Sequence, residues 1–275
     1  MAAEAGREAA RAATKSIRMS SYRAPLKDVR FALYDVLDVE PLFARLGFAD
    51  ANAELVDAVL EEAGRFTTTV LAPLNRVGDE EGCTLDAATG EVTTPTGFKE
   101  AYAQFAEGGW TGLTAATEFG GQGLPHTVGV PLGEMINAAN LAWGNFPLLS
   151  HGAIEALKFH GQPWQQEVFL KPLVEGRWTG TMCLTEPHCG TDLGLLRTRA
   201  EPLGDERYAI TGTKIFITAG EHDLVDNIVH LVLAKLPDAP AGAKGISLFV
   251  VPKFQVARDG TVGARNCLLY TSPSP

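Results

Sequence analysis

The residues best suited to chemistry lie in one polar stretch, Met182 to Leu193. It opens with strand-forming residues and reaches Pro187, where a central strand must end because proline has no N–H for the ladder. Gly190, Thr191 and Asp192 follow, and a turn of this composition offers backbone N–H groups and a hydroxyl to a ligand. A strand that ends in such a loop predicts a binding edge.

Two motifs give the chain a family resemblance. Thr185-Glu186-Pro187 with Gly190-Thr191-Asp192, followed by Arg197-Thr198-Arg199-Ala200, resembles the flavin-binding signature of the acyl-CoA dehydrogenases. Residues 210–220, Ile-Thr-Gly-Thr-Lys-Ile-Phe-Ile-Thr-Ala-Gly, resemble a second strand of that family, with Phe216 where tryptophan is usual. The likeness runs from about Met19 to about Phe254, and the N-terminal extension is similar to that of a subgroup that includes 3-methylmercaptopropionyl-CoA dehydrogenases.

The resemblance implies a reaction and a cofactor. The reaction is α,β-dehydrogenation of an acyl-CoA thioester, in which a carboxylate removes the α-proton and the β-hydride passes to N5 of FAD. In such an enzyme the cofactor supplies the redox chemistry, while the protein orients and tunes it. The implied cofactor-binding residues are Met182, Leu184, Thr185, Gly190, Thr191, Phe216, Ile217 and Thr218. Thr191 is also the implied substrate contact, because it stands where the family usually has serine.

Each of these residues also has a structural interpretation. Threonine is a good strand former, and a lone phenylalanine in a strand is more often core than cofactor stack. The functional interpretation therefore depends on the joint occurrence of these residues in the order that the family shows. Glu186 is not expected to be the base, and we predict for it a hydrogen bond in a turn or at the surface.

The resemblance places the catalytic base in a C-terminal helical domain, so no catalytic residue is assigned within these 275 residues. We therefore expect this chain by itself to be inactive. The implied partners are an acyl-CoA substrate and an electron-transfer flavoprotein, with a homo-oligomer when the protein is full length. Two alternatives stay open: an acyl-CoA oxidase, reoxidised by oxygen, and a non-catalytic module that binds flavin or acyl-CoA.

Composition excludes several other classes of protein. The formal net charge of −10 disfavours nucleic acid, because neutralising phosphates needs clustered cations. No apolar run approaches the roughly 20 residues that a membrane span requires. The four cysteines form neither a CxxC pair nor a disulfide framework, which favours a reducing compartment: the cytoplasm, or the mitochondrial matrix in a eukaryote. Cys183, His188 and Cys189 are too few for a structural zinc site, so we predict no metal.

Hydrophobic periodicity divides the chain into a helical part and a strand part. Helices are predicted over 50–76, 96–107, 128–142 and 153–160, and strands over 179–185, 196–203, 207–211, 214–218, 227–235 and 245–252. Helices followed by strands predict an α+β chain with an α-helical domain (19–177) and an incomplete antiparallel β-barrel or sandwich domain (178–266). The family's C-terminal four-helix bundle is expected to be missing. Residues 1–18 are predicted to be a disordered extension, and residues 267–275 a non-native tail.

Overall fold

The computed structural model describes residues 22–266, so the predictions for 1–18 and 267–275 lie outside the described residues. Within this range the fold class is confirmed, because a helical part precedes a sheet part. No bundle of helices follows the sheet among residues 22–266. None of the helices in this range is long and apolar enough to cross a membrane.

The helical part is built around a buried aromatic and aliphatic core. Its first elements are α1 (Leu26–Arg30), continued by a π-helical segment (Phe31–Val36), and α2 (Val39–Arg45). The predicted helix 50–76 is longer than expected, with α3 (Ala53–Phe66), a π-helical segment (Thr67–Leu71) and α4 (Ala72–Glu81). A two-stranded ribbon of β1 (Thr84–Leu85) and β2 (Val92–Thr93) leads to α5 (Phe98–Glu107).

Helix α6 (His126–His160) joins two helices that the sequence pattern separates. Its halves meet at Asn140, whose φ of −159° and ψ of 88° are not helical. The Asn140 side chain accepts a hydrogen bond from Trp143 N at 3.0 Å and donates one to Leu71 O at 3.3 Å. The rings of His126 and His151 lie 5.9 Å apart, so the two halves fold back against each other.

The sheet part begins after the short segments α7 (Pro163–Gln165), a π-helical turn (Gln166–Leu170) and α8 (Lys171–Val174). Its strands are β3 (Trp178–Cys183), β4 (Arg199–Gly204), β5 (Arg207–Thr211), β6 (Asn227–Lys235) and β7 (Ile246–Pro252). A separate ribbon pairs β8 (Phe254–Val256) with β9 (Val262–Arg265).

The pairing is mixed, which corrects the prediction of an antiparallel barrel or sandwich. β6 pairs in parallel with β3 along Asn227–Val232 and with β4 at Lys235, while β7 runs antiparallel to it. β4 and β5 form an antiparallel hairpin. Since β7 pairs with the same stretch of β6, β3 and β4 must occupy its other edge in succession. The chain between them, residues 184–198, therefore leaves the sheet and returns to the same edge.

Strand β3 is held against the second half of α6 by a close contact at Gly180. Gly180 N donates to Ser150 Oγ at 3.1 Å, and a Cβ at position 180 would lie 2.4 Å from Ala153 Cβ. Glycine is required here because the helix leaves no space for a side chain.

We expect Gly180→Ala to lower the free energy of unfolding by about 1–3 kcal/mol, the usual cost of overpacking. Gly152→Ala is the matched control. Gly152 lies on α6, the helix that Gly180 contacts, and a Cβ built on Gly152 meets nothing within 4 Å. That change should be neutral or stabilising by up to about 1 kcal/mol. Urea denaturation of both variants measures the difference, and equal midpoints would contradict the packing argument.

Candidate functional site

The loop that carries the first motif is stabilised by its own hydrogen bonds. Glu186 and Cys189 exchange two backbone hydrogen bonds, of 2.8 and 3.1 Å, around a turn formed by Pro187 and His188. Asp192 Oδ1 accepts from Gly194 N at 3.1 Å and starts a short 3-10 helix, Leu193–Leu195. The polar residues that follow β3 therefore adopt a defined shape at the end of that strand.

The second motif crosses the first at Leu184 and Thr185. Ile215 N donates to Thr185 O at 2.9 Å, and Lys214 Nζ donates to Leu184 O at 3.0 Å. A Cβ built on Gly190 would lie 3.5 Å from Thr185 Cγ2, so Gly190 is close to the same crossing. The two motifs, separated in sequence, thus meet in space.

The prediction that residues 214–218 form a strand is wrong. After β5 ends at Thr211, the chain has no ladder through this segment, and Phe216 and Ala219 have φ values of +57° and +54°. A left-handed residue interrupts the alternation that a strand requires. The segment is rich in apolar residues because side chains such as Phe216 and Ile217 line a groove, described next, and do not face a neighbouring strand.

A groove of about 1,820 Å³ lies between the helical part and the sheet part. Three of the eight predicted site residues line it: Phe216, Ile217 and Thr218. Phe216 is 70% exposed, which is unusual for an aromatic side chain that a strand pattern would place in a core. Met182, Leu184, Thr185, Gly190 and Thr191 are not among its lining residues, although Met182 and Thr191 are exposed.

Glu186 is the buried centre of the crossing: it lies in a hydrogen-bonded turn, one of the two predicted roles, but its carboxylate is buried and not at the surface. Its side chain is 2% exposed. Oε1 accepts from Thr198 N (2.9 Å), Thr198 Oγ1 (2.5 Å) and Lys214 Nζ (2.9 Å), and Oε2 accepts from Arg197 N (2.8 Å). Burial raises the pKa of the Glu186 carboxyl, but these hydrogen bonds outweigh it and lower the pKa to about 2.

Lys214, the other half of this ion pair, was not among the site residues predicted from the sequence. It is 10% exposed at the side chain and binds both Glu186 and the Leu184 carbonyl. A lysine between two strand-forming residues, Thr213 and Ile215, was the available signal, since lysine is rarely buried unless paired.

Glu186, His188 and Cys189 have possible ligand atoms that all lie within 4.8 Å of one another. The three possible metal ligands considered from the sequence were Cys183, His188 and Cys189. The structure brings Glu186, and not Cys183, close to the other two. Glu186 is already neutralised by Lys214, and His188 Nε2 is 3.0 Å from Leu195 O. Three ligands are also fewer than a structural zinc site uses, so these contacts do not favour a metal here, and its absence stays a prediction.

The residues present fit a flavin in chemical terms. An isoalloxazine ring has two apolar faces and a polar edge, and Phe216 offers an exposed ring beside the hydroxyl of Thr218 and the side chain of Ile217. Phe216 can stack on a planar ring but lacks the N–H that tryptophan would supply.

Comparison with known proteins identifies two matching sequence families. Residues 54–177 match the acyl-CoA dehydrogenase N-terminal domain, and residues 181–269 match the acyl-CoA dehydrogenase middle domain. The two matches meet close to the start of β3, where the helical part of the structure gives way to the sheet part.

Curated relatives include 3-methylmercaptopropionyl-CoA dehydrogenase of Ruegeria pomeroyi, which is 46% identical over 90% of this chain and 42% of its own length. A broad-specificity linear acyl-CoA dehydrogenase of Mycobacterium tuberculosis is 34% identical over 92% of this chain and 42% of its own length. Among solved structures, butyryl-CoA dehydrogenase of Megasphaera elsdenii aligns with a TM-score of 0.60 and 26% identity, covering 73% of this chain and 49% of that chain. The chain thus spans about two fifths of the length of these curated relatives.

Proposed function

Because the chain belongs to the acyl-CoA dehydrogenase family, we propose that it takes part in FAD-dependent α,β-dehydrogenation of an acyl-CoA thioester. One observation carries the proposal beyond the family match: the two motif segments cross at Leu184–Thr185 and leave Phe216, Ile217 and Thr218 along the large groove. The chain covers only 42% of the length of this relative, so the activity of the whole protein is also proposed.

The proposed contributions of this chain are binding and orientation. When bound, FAD accepts the β-hydride of the substrate. Phe216 stacks on the flavin ring, the hydroxyls of Thr185 and Thr218 donate to its polar edge, and Thr191 contacts the cofactor or the acyl-CoA. Met182, Leu184, Gly190 and Ile217 complete the proposed flavin-binding surface. Hydrogen-bond donors placed where negative charge develops stabilise a transition state more than a ground state.

Glu186 does not fit the role of the base that removes the α-proton. A general base works best with a pKa near the operating pH, whereas that of Glu186 is about 2. Its oxygens also accept hydrogen bonds from Thr198, Arg197 and Lys214. We propose that the base belongs to a part of the protein outside these 275 residues, as the resemblance implies, and that the chain alone binds ligand without turnover.

We assign the substrate to the acyl-CoA class, as the names of the relatives suggest. We propose that electrons leave to an electron-transfer flavoprotein and that the full-length protein is a homo-oligomer. An oxidase would instead consume oxygen during turnover, so oxygen uptake by the full-length protein separates the two reactions.

Titration of the chain with FAD, followed by flavin fluorescence, tests the proposed cofactor site. Phe216→Ala should raise the Kd about tenfold, because stacking between aromatic rings contributes about 0.5–1.5 kcal/mol beyond area burial. Phe159→Ala is the matched control, since Phe159 is 69% exposed on α6 and its side chain is not among those that line the groove. Absence of saturable FAD binding by the unmodified chain, or equal Kd values for the two variants, would refute the assignment.

A further inference from the structure

We propose that Glu186 and Lys214 are positioning residues: their buried ion pair fixes the crossing of segments 184–198 and 212–220 and so orients Thr185 and Phe216–Thr218 toward the flavin. This inference rests on the proposed function, because it assumes that these residues face a flavin. It adds a role for Glu186, which does not line the groove, and for Lys214, which lines it next to Phe216–Thr218.

Neither crossing segment is held by the sheet along its length. Residues 184–198 leave the edge of β6 after Cys183 and rejoin it at Arg199, and residues 212–217 have no regular secondary structure. Ile215 N to Thr185 O is a direct backbone bond between the segments. Their relative position must therefore depend strongly on side-chain contacts.

The ion pair makes those contacts on both sides of the crossing. Lys214 Nζ lies 3.0 Å from Leu184 O and 2.9 Å from Glu186 Oε1, so it holds the residues on either side of Thr185. Lys214 is also two residues before Phe216 in the chain. A displacement of this ammonium group would shift the Thr185 and Phe216 backbones relative to each other.

The carboxylate extends the same network to the start of β4. Glu186 Oε1 and Oε2 accept from the backbone N–H groups of Thr198 and Arg197, next to Arg199, which pairs with Lys235 of β6. The crossing is thereby tied to the central strand of the sheet. A buried charge that loses its partner is strongly unfavourable, so removing one member forces the other to move or to recruit water.

A second buried ion pair gives a matched comparison for a purely structural role. Lys253 Nζ lies 2.5 Å from Glu221 Oε1, and its side chain is 11% exposed, against 10% for Lys214. Arg265 also contacts Glu221, at 3.0 Å, so this cluster connects the chain after the second motif to β9. It does not reach Leu184, Thr185 or Glu186 through any of these contacts.

The test compares Lys214→Met with Lys253→Met, each measured twice. Hydrogen exchange without FAD reports the crossing itself, and we expect Lys214→Met to speed exchange at Glu186, Cys189 and Ile215 while β6 stays protected. FAD titration then reports the consequence: a Kd raised about tenfold or more for Lys214→Met, since small misplacements of positioned groups are costly. Lys253→Met should change the FAD Kd less than twofold, although its stability also falls.

Two further variants keep the test decisive if Lys214→Met does not fold. Lys214→Arg keeps the charge and should restore most of the FAD affinity, and Thr198→Val removes the 2.5 Å hydroxyl bond to Glu186 with little change of shape. Thr198→Val should show the same pattern of faster exchange and weaker FAD binding, at smaller amplitude.

The outcomes separate this inference from the proposed function. Unchanged exchange at the crossing, or unchanged FAD affinity in folded Lys214→Met and Thr198→Val, overturns the positioning role while FAD binding by the unmodified chain stands. An equal loss of FAD affinity in Lys214→Met and Lys253→Met would mean that the loss comes from lower overall stability. That result also overturns the positioning role. If the unmodified chain binds no FAD, the proposed function falls, and the orientation toward a flavin falls with it, whatever the exchange data show about the crossing.

Discussion

Acidification from pH 6.5 to 4.5 should destabilise this protein well before its carboxylates are protonated. Two buried histidines next to β3 are the cause: His222 Nε2 lies 3.0 Å from Thr179 Oγ1, and His230 Nδ1 lies 2.7 Å from Thr181 Oγ1. Burial, followed by the nearby charge of Lys253, lowers the pKa of His222 to about 3 and that of His230 to about 4.

The direction of this change in stability follows from the number of protons that the folded and unfolded states bind. Below about pH 6.5 the unfolded chain protonates both histidines, whereas the folded chain keeps them neutral until their depressed pKa values are reached. The unfolded state then binds more protons, so stability falls as the pH falls. Each histidine should cost on the order of 2–3 kcal/mol by pH 4.5.

Urea denaturation at several pH values between 7.5 and 4.5 measures this effect. His230→Leu should lose part of the pH dependence, even though it also leaves the Thr181 hydroxyl without this partner. His160→Gln, at an exposed position on α6, should keep the full dependence. A free energy of unfolding that stays constant from pH 6.5 to 4.5 would show that these rings are not buried and neutral.

Trp143→Ala should lower the free energy of unfolding by about 3–5 kcal/mol, the usual cost of truncating a buried tryptophan. Trp143 is fully buried and lies 5.3 to 6.2 Å, between ring centroids, from Phe105, Phe66 and Tyr102. Its indole N–H also donates to Phe98 O at 3.2 Å. The substitution therefore leaves a cavity and an unpaired carbonyl at the centre of the helical core.

Denaturant unfolding followed by circular dichroism checks this prediction without relying on tryptophan fluorescence. Trp143→Phe should cost less, because it keeps most of the ring volume and loses only the hydrogen bond and part of the packing. Leu141→Ala, two residues away and 59% exposed, is the control and should change stability by less than about 0.5 kcal/mol. A loss below about 1 kcal/mol for Trp143→Ala would mean that the core closes over the vacated space.

Helices and strands were predictable where the pattern is local and repeated. The periodicity of α3 and α5 and the β-branched run of β6 follow from which faces each element buries, so they are readable without knowing the partner. The family resemblance depends on short motifs with fixed spacing, and the matches at residues 54–177 and 181–269 confirm it. The roles of the individual site residues stay predictions.

The errors fall where a distant partner decides the local structure. Residues 214–218 have the composition of a strand, yet Lys214 is drawn to Glu186 and Leu184, and Phe216 adopts a positive φ. Asn140 interrupts a helix because its side chain bonds Leu71 and Trp143. The bond to Trp143 is local and typical of an asparagine that begins a helix, but the contacts with Leu71, Glu186 and Leu184 have no signature in the neighbouring residues.

Composition, period and spacing were therefore enough to predict the order of helical and sheet parts, the family and the residue types available for chemistry. Three features became evident in the folded protein alone: β3 runs parallel to β6, His222 and His230 are buried, and Glu186 pairs with Lys214. The reason is physical: the burial of a charge and the pairing of strands depend on contacts between residues many positions apart, as with Glu186 and Lys214, 28 residues apart.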